Sequence, residues 1–226
     1  MNLGLAILLF TAPHIEVSEH SFDFGYAFEG ESYLHTFWIY NTGDEPLNIS
    51  NVRTFCGCSI TNLGKKRLVT GDSTSFDFVY DTRGFFGDCV KWAYIHSDAP
   101  NDSVMKINVT VKLYGGYDNL PITSDSRMLN FRSMDSLEDE VTFKLKNVSG
   151  TTYNLDLLEV PAVLEGISLP SSVIEPGQEI ELKLRRKSVV RNYEMFLSSI
   201  NFEAWTSTEI LRFSIPLHVR KPPGVE

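Results

Sequence analysis

The chain has 226 residues, of which 42% are hydrophobic and 22% charged, and its formal net charge is -9. That is enough apolar material to bury one large core or two cores of about 110 residues each. The acidic balance argues against a nucleic-acid phosphate partner, which needs clustered Lys and Arg.

Residues 1–13 read MNLGLAILLFTAP, and Leu3 to Phe10 form an apolar run of signal-peptide size. The run is far shorter than the ~18 residues a bilayer span needs. No Lys or Arg follows Met1, and a cut after Ala12 would place Phe10 where a small residue is preferred. The expectation is nevertheless export, with no membrane span in the mature chain.

From residue 14 onward the chain alternates apolar and polar residues. Phe76, Phe78 and Tyr80 alternate with Ser75, Asp77 and Val79; Ile107, Val109, Val111 and Leu113 alternate with Asn108, Thr110 and Lys112. Period two places one set on a core face and the other in water, so each run predicts a strand. Turn signals such as NTGDEP, DTRG and SDAPND separate the runs. Phe85 and Phe86 fall in one of these turns, where two aromatics can either present a contact loop or fold back on the strands. Gly, Pro and polar residues cluster in YGGYDNLPITSDS (Tyr114 to Ser126), which reads as a boundary. Beyond it Phe143 and Leu145, Leu182 and Leu184, and Phe213 and Ile215 alternate in the same way. Pro216 cannot donate to a ladder, so its strand is expected at an edge or with a bulge. The one dense basic run, Leu182 to Arg191, reads as a solvated strand face.

The second half repeats the first at an offset of 106 residues: Phe37 falls on Phe143, Asn41 on Asn147, Gly71 on Gly177 and Val109 on Ile215. Many short strands at near-regular spacing predict two-sheet sandwiches. The division is 1–13 signal peptide, 14–115 first domain, 120–220 second domain and 221–226 tail. The predicted cores are Phe37, Phe76, Phe78, Val109 and Val111 in the first, and Phe143, Leu182, Leu184, Phe213 and Ile215 in the second.

The stretch FDFGYAFEGESYLHTFWIYNTGDEPLNISNVRTFCGCSI, followed by TGDSTSFDFVYDTRGFFG and IHSDAPN, resembles the bacterial Ig-like family known as domain of unknown function 1573. The resemblance covers roughly residues 18 to 113. It implies an immunoglobulin-like β-sandwich related to Hydin-type and major-sperm-protein-type modules, in an exported bacterial protein; taken with the internal repeat, the expectation is an all-β chain of two tandem immunoglobulin-like β-sandwich domains. It implies no activity. Phe55 and Ser59 depart from the family pattern, Cys89 is not part of it, and the second half lacks the Cys-Gly-Cys segment.

Three cysteines remain to be placed: Cys56, Cys58 and Cys89. On a strand Cys56 and Cys58 point to one face with Cα atoms about 6.6 Å apart, beyond the roughly 5.5–6 Å that disulfides prefer. A bond to Cys89 fits a sandwich more easily, and an oxidising compartment favours one. At the repeat offset the three thiols fall on Ala162, Leu164 and Met195, which points to one shared buried neighbourhood. A disulfide, plain buried small residues, soft-metal binding through Cys56, Cys58 and Cys89, and thiol exchange all stay open.

The five histidines (His14, His20, His35, His96 and His218) are scattered, with no metal-ligand or carboxylate spacing. Asp98, Asn101 and Asp102 read as an ordinary Asx-rich turn. No nucleophile, phosphate-loop or dinucleotide fingerprint is present. The expected function is therefore a non-catalytic interaction or structural module of the periplasm or cell surface. It needs no cofactor, and its partner is another protein or an envelope component. The alternative is a periplasmic thiol protein that binds a soft metal such as Cu(I) or exchanges disulfides at Cys56 and Cys58.

Overall fold

The alternating runs become strands in the computed structural model, which describes residues 11–55, 58–131, 140–161, 164–165, 167–185, 187 and 195–220. The first half holds β1 (Ile15–Val17), β2 (Ser21–Tyr26), β3 (Ser32–Asn41), β4 (Leu47–Thr54), β5 (Cys58–Thr61), β6 (Arg67–Leu68), β7 (Ser73–Asp81), β8 (Gly87–Ser97) and β9 (Val104–Leu113). The second half holds β10 (Ile122–Ser124), β11 (Leu129–Phe131), β12 (Glu140–Asn147), β13 (Tyr153–Glu159), β14 (Val173–Ile174), β15 (Glu179–Arg185), β16 (Met195–Trp205) and β17 (Ile210–Arg220). Among the described residues there is no helix.

Strands β1-β3-β7-β5 form one sheet and β10-β12-β15 another. The remaining strands join in a long sheet of order β14-β13-β16-β17-β2-β9-β8-β4-β6, with β11 also paired to β17. The smaller sheets cover the two ends of the long one in a sandwich-like arrangement. One hydrophobic cluster holds Phe22, Phe37, Phe76, Phe78, Val109 and Val111. A second holds Phe143, Leu182, Leu184, Phe213 and Ile215, and it takes in Phe28 from the first half. All ten residues expected in the cores are buried. The basic run also behaves as expected where it is described: β15 alternates exposed and buried residues along its whole length.

One asparagine arrangement recurs in the two halves. Asn41 Nδ2 donates to the carbonyls of Glu45 and Leu68 at 2.9 and 3.0 Å. Asn147 Nδ2 donates to those of Thr151 and Ile174 at 2.8 and 3.0 Å. Both asparagines occupy core-phase positions at the end of a strand, and each ties the carbonyl of the following turn to a carbonyl of a short neighbouring strand. Asn41→Ala and Asn147→Ala each remove a buried amide that joins two backbone carbonyls, so each is expected to cost about 1–3 kcal/mol. Urea unfolding checks it, with Asn154→Ala, whose side chain is exposed, as the control that should stay near wild type.

Two sequence expectations need correction. The 106-residue offset does not hold through β16. Cys89 pairs with Val111 and Ser198 pairs with Leu217, so the ladder register places Ser198, not Met195, where Cys89 sits. The β16–β17 hairpin loop is shorter than the β8–β9 loop, and this moves the count. Pro216 is neither on an edge strand nor at a bulge, because β16 pairs with β17 without a register shift. It is tolerated because the other side of β17 is taken by β2 only at Phe213 and by β11 only at Leu217–Val219. Residue 216 falls in the gap between them, where no donor is called on.

Candidate functional site

Three places gather chemistry-bearing side chains: the cysteine region, the outer face of β4, β8 and β9, and the contact between the two halves.

Cys58 opens β5 and lies opposite Tyr80 of β7. Cys89 lies on the inward face of β8, and both cysteines pack against the first cluster. Burial, followed by the nearby Cys89 and Cys58, pushes the Tyr80 phenol well above its ordinary value. The Tyr80 hydroxyl is buried and meets no hydrogen-bond partner among the described residues. The Cys89 thiol donates to the Phe86 carbonyl at 3.6 Å. Cys56 and Gly57 lie outside the described residues. Among the described residues no three His, Cys, Asp or Glu side chains gather as a metal would need.

The turn aromatics divide their roles. Phe85 packs against the first cluster, with Lys91 Nζ 3.7 Å from its ring centre. Phe86 is 73% exposed and packs edge-on against Tyr114 at 5.7 Å. The outward alternation of β8 continues this surface through Val90 and Trp92 to Tyr94. Phe55 is 59% exposed and meets the Tyr94 ring at 5.8 Å. Lys106 Nζ stands 4.7 Å from the Trp92 ring, and Lys112 Nζ stands 5.2 Å from the Tyr26 ring. The face is therefore aromatic with cations laid over the rings, on a chain of net negative charge.

The contact between the halves is polar and buried, and it centres on His35. His35 stands in phase with the core residues Tyr33, Phe37 and Ile39 on β3. Its ring stacks on Phe22 at 3.6 Å and meets Phe37 edge-on at 4.6 Å. Nδ1 lies 2.5 Å from Glu159 Oε2, and Nε2 lies 2.8 Å from Glu19 Oε1. Burial lowers the His35 pKa, but bonding to Glu159 and Glu19 outweighs it, so the ring is raised above the ordinary 6.5. Glu159 reaches this spot because β13 shifts register between Leu157 and Glu159. That bulge turns Leu158 into the first cluster and Glu159 onto β3.

β1 covers one side of β3 only at Ile39–Asn41, and second-half side chains take the place of a strand along the part it leaves open. Ser199 Oγ accepts the Leu34 N–H at 3.1 Å and lies 3.0 Å from the Leu34 carbonyl. Glu159 Oε1 accepts the Thr36 N–H at 3.2 Å. Asn201 Oδ1 lies 3.0 Å from Ser199 Oγ and 2.8 Å from Ser214 Oγ, and Ser214 Oγ is 2.7 Å from the Phe24 carbonyl. A bare edge invites pairing with another chain, and these side chains blunt it.

The cysteines and the turn aromatics were named from the sequence, while His35, Glu19 and Glu159 were missed. The one local signal was a histidine at a core-phase position of a strand. Its carboxylates are 16 and 124 residues away, so no spacing rule finds them.

Residues 15–112 match the family model described as "Protein of unknown function (DUF1573)", a span that takes in nearly all of the first cluster. This supports the resemblance for the first half. No curated protein matches the chain. Among solved structures, a protein of unknown function from Porphyromonas gingivalis W83 is 13% identical, with a TM-score of 0.37 over 91% of this chain and 99% of that one. The E. coli chaperone DraB is 12% identical, with a TM-score of 0.35 over 89% of this chain and 96% of that one. A PapD-like domain of human CEP192 is 10% identical, with a TM-score of 0.36 over 51% of this chain and 98% of that one. Scores this low carry no argument about function.

Proposed function

We propose that the chain is a non-catalytic module of the bacterial cell envelope, exported by residues 1–13 and folded as two tandem immunoglobulin-like sandwiches, 14–115 and 120–220. It binds another protein or an envelope component by surface recognition. The observation that carries this reading is the outer face of β4, β8 and β9. Phe55, Val90, Trp92 and Val104 are all exposed on or beside it. Contiguous exposed aromatic surface of this kind marks contact sites more often than chemistry. Two hydrophobic clusters, each related to the same strand pattern, support the tandem division.

The test is site-directed photo-cross-linking in a Gram-negative host, with the cross-linker at Val90, Trp92 or Val104 and, as control, at Lys183 on the exposed side of β15. Discrete adducts from the three face positions and none from the control are expected. Adducts from Lys183 alone, or from every position equally, would overturn the face assignment. Fractionation of the same cells, with N-terminal sequencing of the mature chain, tests export: the protein is expected in the periplasmic fraction, cut near Ala12.

The surroundings of Tyr80 favour a second reading. Cys58 stands opposite Tyr80 and Cys89 packs on the same cluster, which supports a periplasmic thiol protein that binds a soft metal such as Cu(I), or exchanges disulfides, at Cys56 and Cys58 with Cys89 at hand. Under reducing conditions Cu(I) titration would then reach a one-equivalent end point that Cys58→Ser removes. A featureless titration leaves the thiols as structural residues.

A further inference from the structure

We infer that His35, Glu19 and Glu159 form a pH-gated latch that closes the second half over the open edge of β3. The geometry sets out the parts. His35 is buried, and its two ring nitrogens face one carboxylate from each half. Glu159 binds the ring with one oxygen and the Thr36 amide with the other. Ser199, two residues from Asn201 on β16, holds both polar groups of Leu34, and Asn201 Nδ2 lies 3.5 Å from Glu159 Oε2. The cap on the edge and the histidine therefore share one carboxylate.

The charged groups that act on His35 are Glu159 from β13 and Glu19 from the β1–β2 loop. From β2 it meets Phe22, along β3 it meets Phe37, and opposite it on β7 stands Phe78, none of which titrates. Asp77, the next residue on β7, bonds the Thr36 hydroxyl and lies on the other face of the sheet. Protonated, the imidazolium donates from both nitrogens and satisfies both carboxylates. When it releases one proton to solvent, only one N–H remains, and the other carboxylate faces a lone pair across a buried contact. Because the folded pKa is raised, the latch contributes in full below the ordinary value of about 6.5 and is lost as pH climbs through the raised value. While both carboxylates are ionised, the latch is closed below the ordinary histidine value and loosens as pH climbs above it.

Amide hydrogen exchange on the whole chain reads the latch directly. The Leu34 and Thr36 amides point to the second half, while the Tyr33 and Phe37 amides point to β7 and serve as internal controls. Between about pH 6 and about pH 9, exchange at Leu34 and Thr36, corrected for base catalysis, should rise relative to Tyr33 and Phe37. The ceiling is about tenfold for each unit by which the folded pKa exceeds the unfolded one. His35→Gln should abolish that pH dependence. Should it fail to fold, Glu19→Gln removes one carboxylate, keeps the ring, and should move the His35 imidazole resonance to lower pH. A second cross-half pair, His218 with Glu31 at 3.2 Å, is removed from account by repeating the measurement in His218→Gln. The inference is overturned if Leu34 and Thr36 keep constant relative protection across the range, if His35→Gln leaves the pH dependence intact, or if the His35 resonance titrates at or below the ordinary value.

Discussion

Gly25→Ala is expected to destabilise the chain by about 3–5 kcal/mol, because a methyl group there has no room and no suitable backbone. Gly25 has φ +66°, and a Cβ on it would lie 2.0 Å from the Arg212 carbonyl oxygen and 2.2 Å from its carbon. Both atoms belong to the backbone of β17, so the obstruction cannot rotate away. This is where β2 shifts register, ceasing to pair with β9 between Asp23 and Tyr26, and touches β17 through Tyr26 opposite Phe213. The long sheet passes from one half to the other at that contact. Gly30→Ala isolates the collision, since Gly30 has φ +82° with nothing within 4 Å of a built Cβ. It should cost only the backbone strain, about 1 kcal/mol. At about 2–4 °C per kcal/mol for a chain of this size, Gly25→Ala should lower the Tm by roughly 10 °C and Gly30→Ala by a few degrees. Equal effects of the two would mean that Arg212 does not approach Gly25 this closely.

Alternation is a local property, which is why the strands and both hydrophobic clusters could be read from the sequence. Phe76 and Phe78, or Leu182 and Leu184, declare their face by the polar residues between them, and no distant partner is needed. The 106-residue offset also relates β14 (Val173–Ile174) to β6 (Arg67–Leu68), two short strands that alternation did not reveal. It failed where a loop changed length. Matching Cys89 to Met195 treated the chain as ungapped, while the ladder matches Cys89 to Ser198, a buried polar residue. Cys89 therefore has no apolar counterpart in the second half, unlike what the ungapped match gave. The aromatic turn was half legible, since burial separates Phe85 from Phe86 and composition cannot. The His35 contact was not legible at all. It depends on a bulge at Leu158 and on a strand pairing between halves, both of which are settled by packing after the strands have formed.

Phe78→Ala and Leu184→Ala are expected to lower one shared unfolding transition. Phe78 is fully buried among Phe37 and Tyr80, at ring separations of 6.5 and 6.2 Å, and it stands opposite His35 in the β3–β7 ladder. Leu184 is fully buried in the other cluster, opposite Val141. Truncation removes apolar contact and leaves a cavity, costing about 3–5 kcal/mol at Phe78 and about 2–5 kcal/mol at Leu184. The two sites share no cluster, so their effects should add. The halves are nevertheless joined by the β2–β17 pairing, by Phe28 and Tyr117, whose rings sit 4.8 Å apart, and by the buried bonds around Glu159 and Ser199. Unfolding one half would strip partners from buried polar groups of the other, at about 1–3 kcal/mol for each group left unsatisfied. Several such groups make a half-unfolded state costly, so calorimetry of wild type should show one peak that either substitution moves to lower temperature. Two peaks, with Phe78→Ala shifting one and Leu184→Ala the other, would mean that the polar contact between the halves contributes little. An unmoved peak for either variant would place that residue outside the core.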